Sequence, residues 1–561
     1  MNKCATTRQR AEGRLLVLGV FFFCAFAIVG ARMALLATSE PVEPRAQAPG
    51  AVISASRADI VDRRGNLLAT NMETYALYAQ PKFMIDPVAA ATKLTEVFPD
   101  LDKARLIKDF TGKRKFLWIK RKISPEQKQA VHDIGDPGLL FAPRDMRLYP
   151  NGTLAAHVLG GASYGKEGVH AAEVIGVAGA EKYFDDYLRN PDNAGKPLEL
   201  SLDLTVQAAA EQVLYGGMKL MNAKGATSIL MDVRTGEVIS VVSLPSFDPN
   251  DRPRPAIEGD ASDSPLFNRS VQGVYELGSV LKIFAAAQAI DLGLANADTV
   301  IDTKGPMKVG GFKIGEFRNK NYGELSVTDI IVKSSNRGTG RLALSIGAKR
   351  QKEFLQSLGF FEATSFEIVE AASGRPLLPK RWTDLSTVTI SYGHGLSTSP
   401  LHLAAGYAAI ANGGFKVSPT LLKQGAPQVG PRVMSARAAA DARMMLRKVV
   451  TKGTASFAEV KGYQIGGKTG TADKPKRHGG YYKDKVIATF ASIFPTSDPK
   501  YVLIVSLDEP VETSGDKPRR TAGWTAVPVA AEMVRRVAPL LGMRPTVEPA
   551  NQPVVTLTSS N

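Results

Sequence analysis

The chain opens on a polar, basic stretch and then runs apolar without interruption from Leu15 to Ala31. Arg32 breaks the run, and Met33 to Ala37 resumes it. Taken as residues 15–37 the segment is long enough for a helix crossing the roughly 30 Å of a bilayer's hydrocarbon, with Arg32 snorkelling near its far end. Lys3, Arg8, Arg10 and Arg14 precede it against a single acid, Glu12, which places residues 1–14 on the cytoplasmic side and the remainder across the membrane. A cleaved signal peptide ending at Ala37-Thr38-Ser39 is the competing reading, but the run exceeds the usual apolar core of about 7–15 residues. An uncleaved anchor is therefore expected. Residues 38–50, rich in Pro and Ala, read as a linker.

Beyond the linker the pattern changes period. Residues 51–203 show short strand-like runs with turn signals, such as Arg63-Arg64-Gly65-Asn66 between Ala58–Asp62 and Leu67–Ala69. A second unit, 204–545, begins where Asp203 is placed to cap a helix through Val206, Ala210 and Val213. The runs Thr227–Met231 and Glu237–Val242 flank a turn in which Gly236 supplies a positive φ. Near the end, Val486–Phe494 and Tyr501–Leu507 repeat the arrangement around Pro495 to Pro499. Between them the periodicity is helical, as in Leu281–Ile290 and Leu401–Ile410. Strands at both ends of this unit and helices between them predict one mixed sheet whose N- and C-terminal strands pair. Residues 251–265 read as a mobile surface loop, and 546–561 as a polar tail.

Composition narrows the classes. With 44% hydrophobic and 22% charged residues the chain is globular, and 561 residues exceed what one core supports. The net charge of +16 allows nucleic acid, an anionic surface or an acidic substrate as partner. Aromatic residues are only 7%, no basic block interleaved with them stands out, and nucleic acid is not expected. Both cysteines, Cys4 and Cys24, fall in the first segment, so the rest forms no disulfide or thiolate site. No histidine pair has zincin spacing, and neither metal nor cofactor is expected.

Three short patterns carry chemistry. Ser279-Val280-Leu281-Lys282 puts a serine and a lysine one turn apart at a helix start, where free N–H groups favour developing negative charge. A buried lysine of lowered pKa could take the serine's proton. The same spacing at Ser163, Ser497 and Ser514 lies in polar turns; only Ser279 follows a turn glycine and leads into an apolar helix. Ser334-Ser335-Asn336 could supply a proton relay and an amide clamp, or could be an ordinary helix cap. Lys468-Thr469-Gly470-Thr471 reads as a strand edge suited to an extended substrate with a terminal carboxylate, or as a basic edge that resists aggregation. A glycine inside such a strand is a cost unless something approaches its backbone closely. In this order the three match the signature of serine β-lactamases and penicillin-binding proteins, with Ser-Ser-Asn for Ser-Asp-Asn.

Over nearly its whole length the chain resembles the class B penicillin-binding proteins. Arg57 to Ala69, Arg147-Leu148-Tyr149-Pro150 with Ala156 to Gly160, and Gly179 to Phe184 are similar to the motifs of their non-catalytic pedestal, which makes His157 structural. Leu277 and Val280 stand where that family more often has Pro and Thr. Ser391-Tyr392-Gly393-His394-Gly395 looks like the septal, cell-division type. The resemblance implies a mixed α/β fold: a transpeptidase domain with an antiparallel sheet between helices, a β-rich pedestal over 51–203, and one transmembrane helix. It implies attack by Ser279 on the penultimate D-Ala carbonyl of a stem peptide, with Lys282 as base, Ser334 as relay and Asn336 holding the donor amide. Lys468, Thr469 and Thr471 with Gly470 would bind the terminal carboxylate, and the N–H groups of Ser279 and Thr471 would form the oxyanion hole. A neighbouring stem's amine then completes a 4→3 cross-link, and β-lactams acylate the same serine. The implied partners are peptidoglycan stem peptides, the bilayer, a membrane-embedded glycan polymerase and other divisome proteins.

Two other functions fit the same residues. A D,D-carboxypeptidase or β-lactamase would use water as acceptor, with Glu353, Glu362, Glu367 or Glu370 as candidates for a deacylating carboxylate. A β-lactam sensor or divisome scaffold would need no chemistry, yet Ser279 and Lys468 are both present.

Overall fold

The computed structural model describes residues 17–33, 57–164, 174–193, 195–255, 257–428, 430–476 and 479–546. The chain divides into two compact units, Met1–Ala55 and Ser56–Asn561. In the first, residues 17–33 are helical and exposed. Among the described residues no helix is long and apolar enough to cross a membrane. Both ends of the 15–37 run, the segments 1–14 and 38–50, and all of 546–561 except Thr546 lie outside the described residues.

In the second unit, β1 (Ile60–Val61) and β2 (Leu67–Ala79) are joined through Asp62. The Asp62 carboxylate accepts from the backbone N–H of Arg64 and Asn66, each at 2.8 Å, and from that of Leu204 at 2.9 Å. The predicted turn thus also tethers the start of a distant helix. β2 pairs antiparallel with β1, β3 (Leu117–Ile123) and β4 (Leu139–Leu148), while β5 (Leu198–Glu199) adds to β1 in parallel. The helices α1 (Pro87–Val97), α2 (Lys103–Phe110) and α3 (Pro125–His132) start at side-chain caps from Asp86, Asp102 and Ser124. They bury Leu94, Phe98, Phe110 and Val131 against Leu77 and Ile123 of the sheet.

One basic stretch does stand out, contrary to the reading of the charge pattern. Lys113, Arg114, Lys115, Arg121 and Lys122 are exposed around the edge strand β3, together with Phe116 and Trp118. Phe116 stacks on Tyr78 of β2, which explains how aromatic rings sit in so charged a run. Lysine and arginine along a sheet edge resist pairing with another chain.

The three pedestal motifs meet at one buried carboxylate. Glu181 pairs with Arg57 at 2.6 Å and Arg147 at 2.7 Å, and accepts from the Tyr149 hydroxyl at 3.3 Å. Removing one member of such a buried set leaves its partners' charges unpaired, typically at a cost of about 3–5 kcal/mol. His157 is buried with Nε2 3.1 Å from the Pro245 carbonyl oxygen. Burial lowers its pKa to about 4, so it is a neutral donor at physiological pH.

The larger sheet has the order β8–β9–β10–β6–β7, antiparallel throughout: β8 (Gly466–Pro475), β9 (Tyr481–Phe494), β10 (Tyr501–Asp508), β6 (Gly225–Asp232) and β7 (Val238–Leu244). The predicted pairing of first and last strands is present, with Ile229 opposite Ile504. Almost every residue of β6, β7 and β10 is buried. Successive strand residues face opposite sides, so both faces are covered. α4 (Leu204–Leu220), capped by Asp203 as predicted, packs with α10 (Ala526–Leu540). α5 (Lys282–Asp291), α8 (Pro400–Ala411) and α9 (Ala436–Lys452) form the other helical group. α6 (Val327–Lys333) and α7 (Asn336–Ile346) follow a loop whose residues line the site.

Candidate active site

Ser279 lies in the short turn Gly278–Leu281 that leads into α5. Three contacts fix that turn. Gly278, at φ +65°, donates its N–H to the Gly393 carbonyl at 3.2 Å. Tyr407 of α8 donates its hydroxyl to the Val280 carbonyl at 2.8 Å. Gly470 of β8 faces the turn so closely that a Cβ there would lie 2.2 Å from the Leu277 oxygen. That approach is why this strand tolerates glycine in its middle.

Lys282 is fully buried on the first turn of α5. Its Nζ donates to the Ser334 carbonyl at 2.5 Å, to Ser334 Oγ at 3.1 Å and to Asn336 Oδ1 at 2.7 Å. Burial lowers its pKa to about 7, and the nearby Glu316 charge opposes that fall. Ser334 closes α6 in the left-handed region, φ 61°, a conformation that costs a non-glycine residue free energy and turns the chain sharply into α7. Ser335 then caps α7. Lys468, also fully buried, donates to Ser334 Oγ at 3.0 Å and to the Thr469 carbonyl at 3.0 Å. Its pKa lies well below the ordinary lysine value because of burial first and the neighbouring Lys282 charge second.

These residues surround a cavity of about 600 Å³. Ser279, Ser334, Asn336, Thr469 and Thr471 line it. Lys282, Lys468 and Gly470 stand behind its wall, so the Lys468 ammonium meets Ser334 directly. The Thr469 hydroxyl is 2.7 Å from that of Thr454, and Thr471 Oγ1 accepts from the Ala522 N–H at 3.0 Å. Aromatic rings line the cavity as well: Phe317 and Tyr322 from the loop before α6, and Phe457 and Trp524.

Several residues of the site lie outside the three short patterns. Glu316 is buried, and its carboxylate accepts from Ser335 Oγ at 2.5 Å and from the backbone N–H of Asn336 and Arg337 at 2.8 and 3.0 Å. It thereby holds the second motif in place. His394 and Asp473 also line the cavity. Of the four glutamates considered for deacylation, Glu367 is occupied by Thr420 and Leu421, and Glu370 by the Gly179 N–H. Neither these nor Glu353 and Glu362 line the cavity, whose carboxylates are Glu316 and Asp473. Among the described residues no group of His, Cys, Asp and Glu side chains could hold a metal ion.

A serine in a glycine-braced turn, beside one hydroxyl shared by two buried lysines, on an antiparallel sheet between helices, defines the serine acyl-transfer class that β-lactams intercept. The model of the penicillin-binding protein transpeptidase domain matches residues 226–530, and that of the penicillin-binding protein dimerisation domain matches 52–196. The chain belongs to the class B penicillin-binding proteins, of the septal type. A probable peptidoglycan D,D-transpeptidase FtsI of Caulobacter vibrioides is 33% identical over 97% of this chain and 91% of its own length. The peptidoglycan D,D-transpeptidase FtsI of Escherichia coli K12 is 28% identical over 82% and 80%. Among solved structures, penicillin-binding protein 3 of Mycobacterium tuberculosis complexed with ampicillin superposes with a TM-score of 0.66 at 26% identity, covering 88% of this chain and 97% of that one.

Proposed function

We propose that this chain is a peptidoglycan D,D-transpeptidase of septal wall synthesis, with Ser279 as its acyl-accepting nucleophile. The observation that carries the reading is the Ser334 hydroxyl held between Nζ of Lys282 and Nζ of Lys468, in the cavity that Ser279 lines. Neutral Lys282 takes the Ser279 proton as Oγ attacks the penultimate D-Ala carbonyl carbon. The N–H groups of Ser279 and Thr471 stabilise the oxyanion, a reading supported by the packing of Gly278 on the Thr471 backbone. The proton passes through Ser334 to the departing D-Ala amine, while Asn336 holds the donor amide. Thr469 and Thr471 take the terminal carboxylate, and Lys468 adds positive charge behind them. A neighbouring stem's amine then displaces Ser279 and completes a 4→3 cross-link.

Residues 15–37 anchor the chain in the inner membrane with 1–14 cytoplasmic, and 38–50 link them to the pedestal, 51–203, and the periplasmic transpeptidase domain, 204–545. The anchor and pedestal meet a membrane-embedded glycan polymerase and other divisome proteins. Amine is favoured over water as acceptor, because the four glutamates suited to a lactamase role stand away from the cavity.

The test is covalent labelling with a fluorescent penicillin on a denaturing gel. The wild type is expected to give a persistent band that Ser279→Ala lacks. Rapid consumption of the drug without a band would replace the reading with a β-lactamase, and an untouched drug would replace it with a scaffold.

A further inference from the structure

The transpeptidase reading leaves one proton without a base. An acceptor amine of lysine-like basicity arrives as an ammonium, with only about one molecule in a thousand neutral near pH 7. Attack on the acyl-enzyme needs the free lone pair, so one proton must leave before the C–N bond forms and a second as it forms. Lys282, whose hydrogen bonds all run to Ser334 and Asn336, handles the proton exchanged with Ser279.

A second proton-handling group lines the same cavity. His394 follows Gly393, whose carbonyl accepts from the Gly278 N–H next to Ser279. Its Nδ1 is 3.1 Å from Glu276 Oε2, and its side chain is 33% exposed. Glu276 is itself fixed, accepting from the Gly395 N–H at 2.7 Å and from the Tyr481 hydroxyl at 3.0 and 3.1 Å. A carboxylate on Nδ1–H selects the tautomer that leaves the Nε2 lone pair free. The charged and titratable groups around the imidazole are Glu276, Asp473, Tyr392 and Tyr481. Burial pushes both tyrosines up to about 12, so neither is a base near neutral pH.

We propose that His394, oriented by Glu276, is the base that takes the first proton from the acceptor ammonium. The proton moves from the ammonium nitrogen to Nε2, leaving a neutral amine and an imidazolium that discharges to solvent. The amine nitrogen bonds to the acyl carbon, the carbon–Oγ bond to Ser279 breaks, and the amine's second proton passes through Lys282 to Oγ. His394 is thus a catalytic residue of the second half-reaction only, and the inference rests on the transpeptidase reading.

The experiment uses the full-length chain, a D-alanyl thioester donor and two acceptor amines, one strongly basic and one already neutral at the assay pH. His394→Asn keeps a donor toward Glu276 but removes the base. Penicillin acylation is expected within about threefold of wild type, while the ratio of aminolysis to hydrolysis with the basic acceptor falls at least tenfold. With the neutral acceptor the deficit should close to about threefold. Glu276→Gln should fall between the two proteins. An equal loss with both acceptors would reduce His394 to a contact residue, and a parallel loss of acylation would make it structural. Retention of aminolysis would remove it from the reaction. Failure of the wild type to acylate would instead overturn the transpeptidase reading itself.

Discussion

Lys282 and Lys468 donate to the same oxygen, Ser334 Oγ, at 3.1 and 3.0 Å. The Lys282 charge, beside the same hydroxyl, adds to burial in making Lys468 easier to deprotonate. Ser334→Ala removes the relay but keeps the backbone carbonyl that Lys282 also uses. It should slow acylation by penicillin about 100-fold or more and lower the unfolding midpoint, since two buried lysines lose an acceptor. Stopped-flow acylation kinetics beside a thermal melt would check both halves.

Because Lys282 must be neutral to accept a proton, acylation should rise with pH through a midpoint near its value of about 7 and then level off. Stability follows the same group. On unfolding, Lys282 regains its ordinary value of 10.5, so between about 7 and 10.5 the unfolded chain binds more protons and stability rises with pH. Urea midpoints across that window should show a slope that Lys282→Met flattens.

The carboxylate of Glu316 accepts three hydrogen bonds and raises the proton affinity of Lys282. A Gln side chain has one acceptor oxygen and would turn its NH2 toward a donor. Glu316→Gln should therefore cost about 2–3 kcal/mol in urea unfolding. It should also shift the acylation midpoint to lower pH, since the charge that favours protonated Lys282 is gone.

At Gly470 an added methyl would lie 2.2 Å from the Leu277 oxygen and 2.9 Å from Val280 Cγ1. Strand and turn must then separate. Gly470→Ala should reduce acylation at least about 100-fold, since displacements near 1 Å at reacting groups are that costly. Gly216→Ala, on the exposed face of α4 with nothing within 4 Å, should leave acylation intact.

The sheet and the three motifs were legible because their signals are local. Gly236, the Pro495–Pro499 turn and runs of β-branched residues announced β6, β7 and β10 within a residue or two, while β9 begins five residues before the predicted Val486, at Tyr481. The remaining parts of the site come from tertiary convergence. Glu316 sits in a loop whose composition resembles any surface turn, and only the fold brings it onto Ser335. The Glu276–His394 pair joins residues on two small strands, Tyr275–Glu276 and Ser397–Thr398, and the turn before the second. Spacing alone could not pair them. The basic run around β3 was present in the sequence but gained meaning only as a sheet edge.

The pairing of Ile229 with Ile504 has a consequence for biosynthesis. All three chemical motifs lie between those residues in the chain, so a ribosome emits all three before the strand that completes their platform exists. Until then, the hairpin β6–β7 presents an apolar, unpaired edge while Ser279, Ser334 and Lys468 have no common scaffold. Such long-range closure folds slowly and exposes hydrophobic surface on the way. A chain truncated anywhere before β10 therefore yields an aggregation-prone fragment with no partial activity, and acylation competence appears only after the last strand has docked.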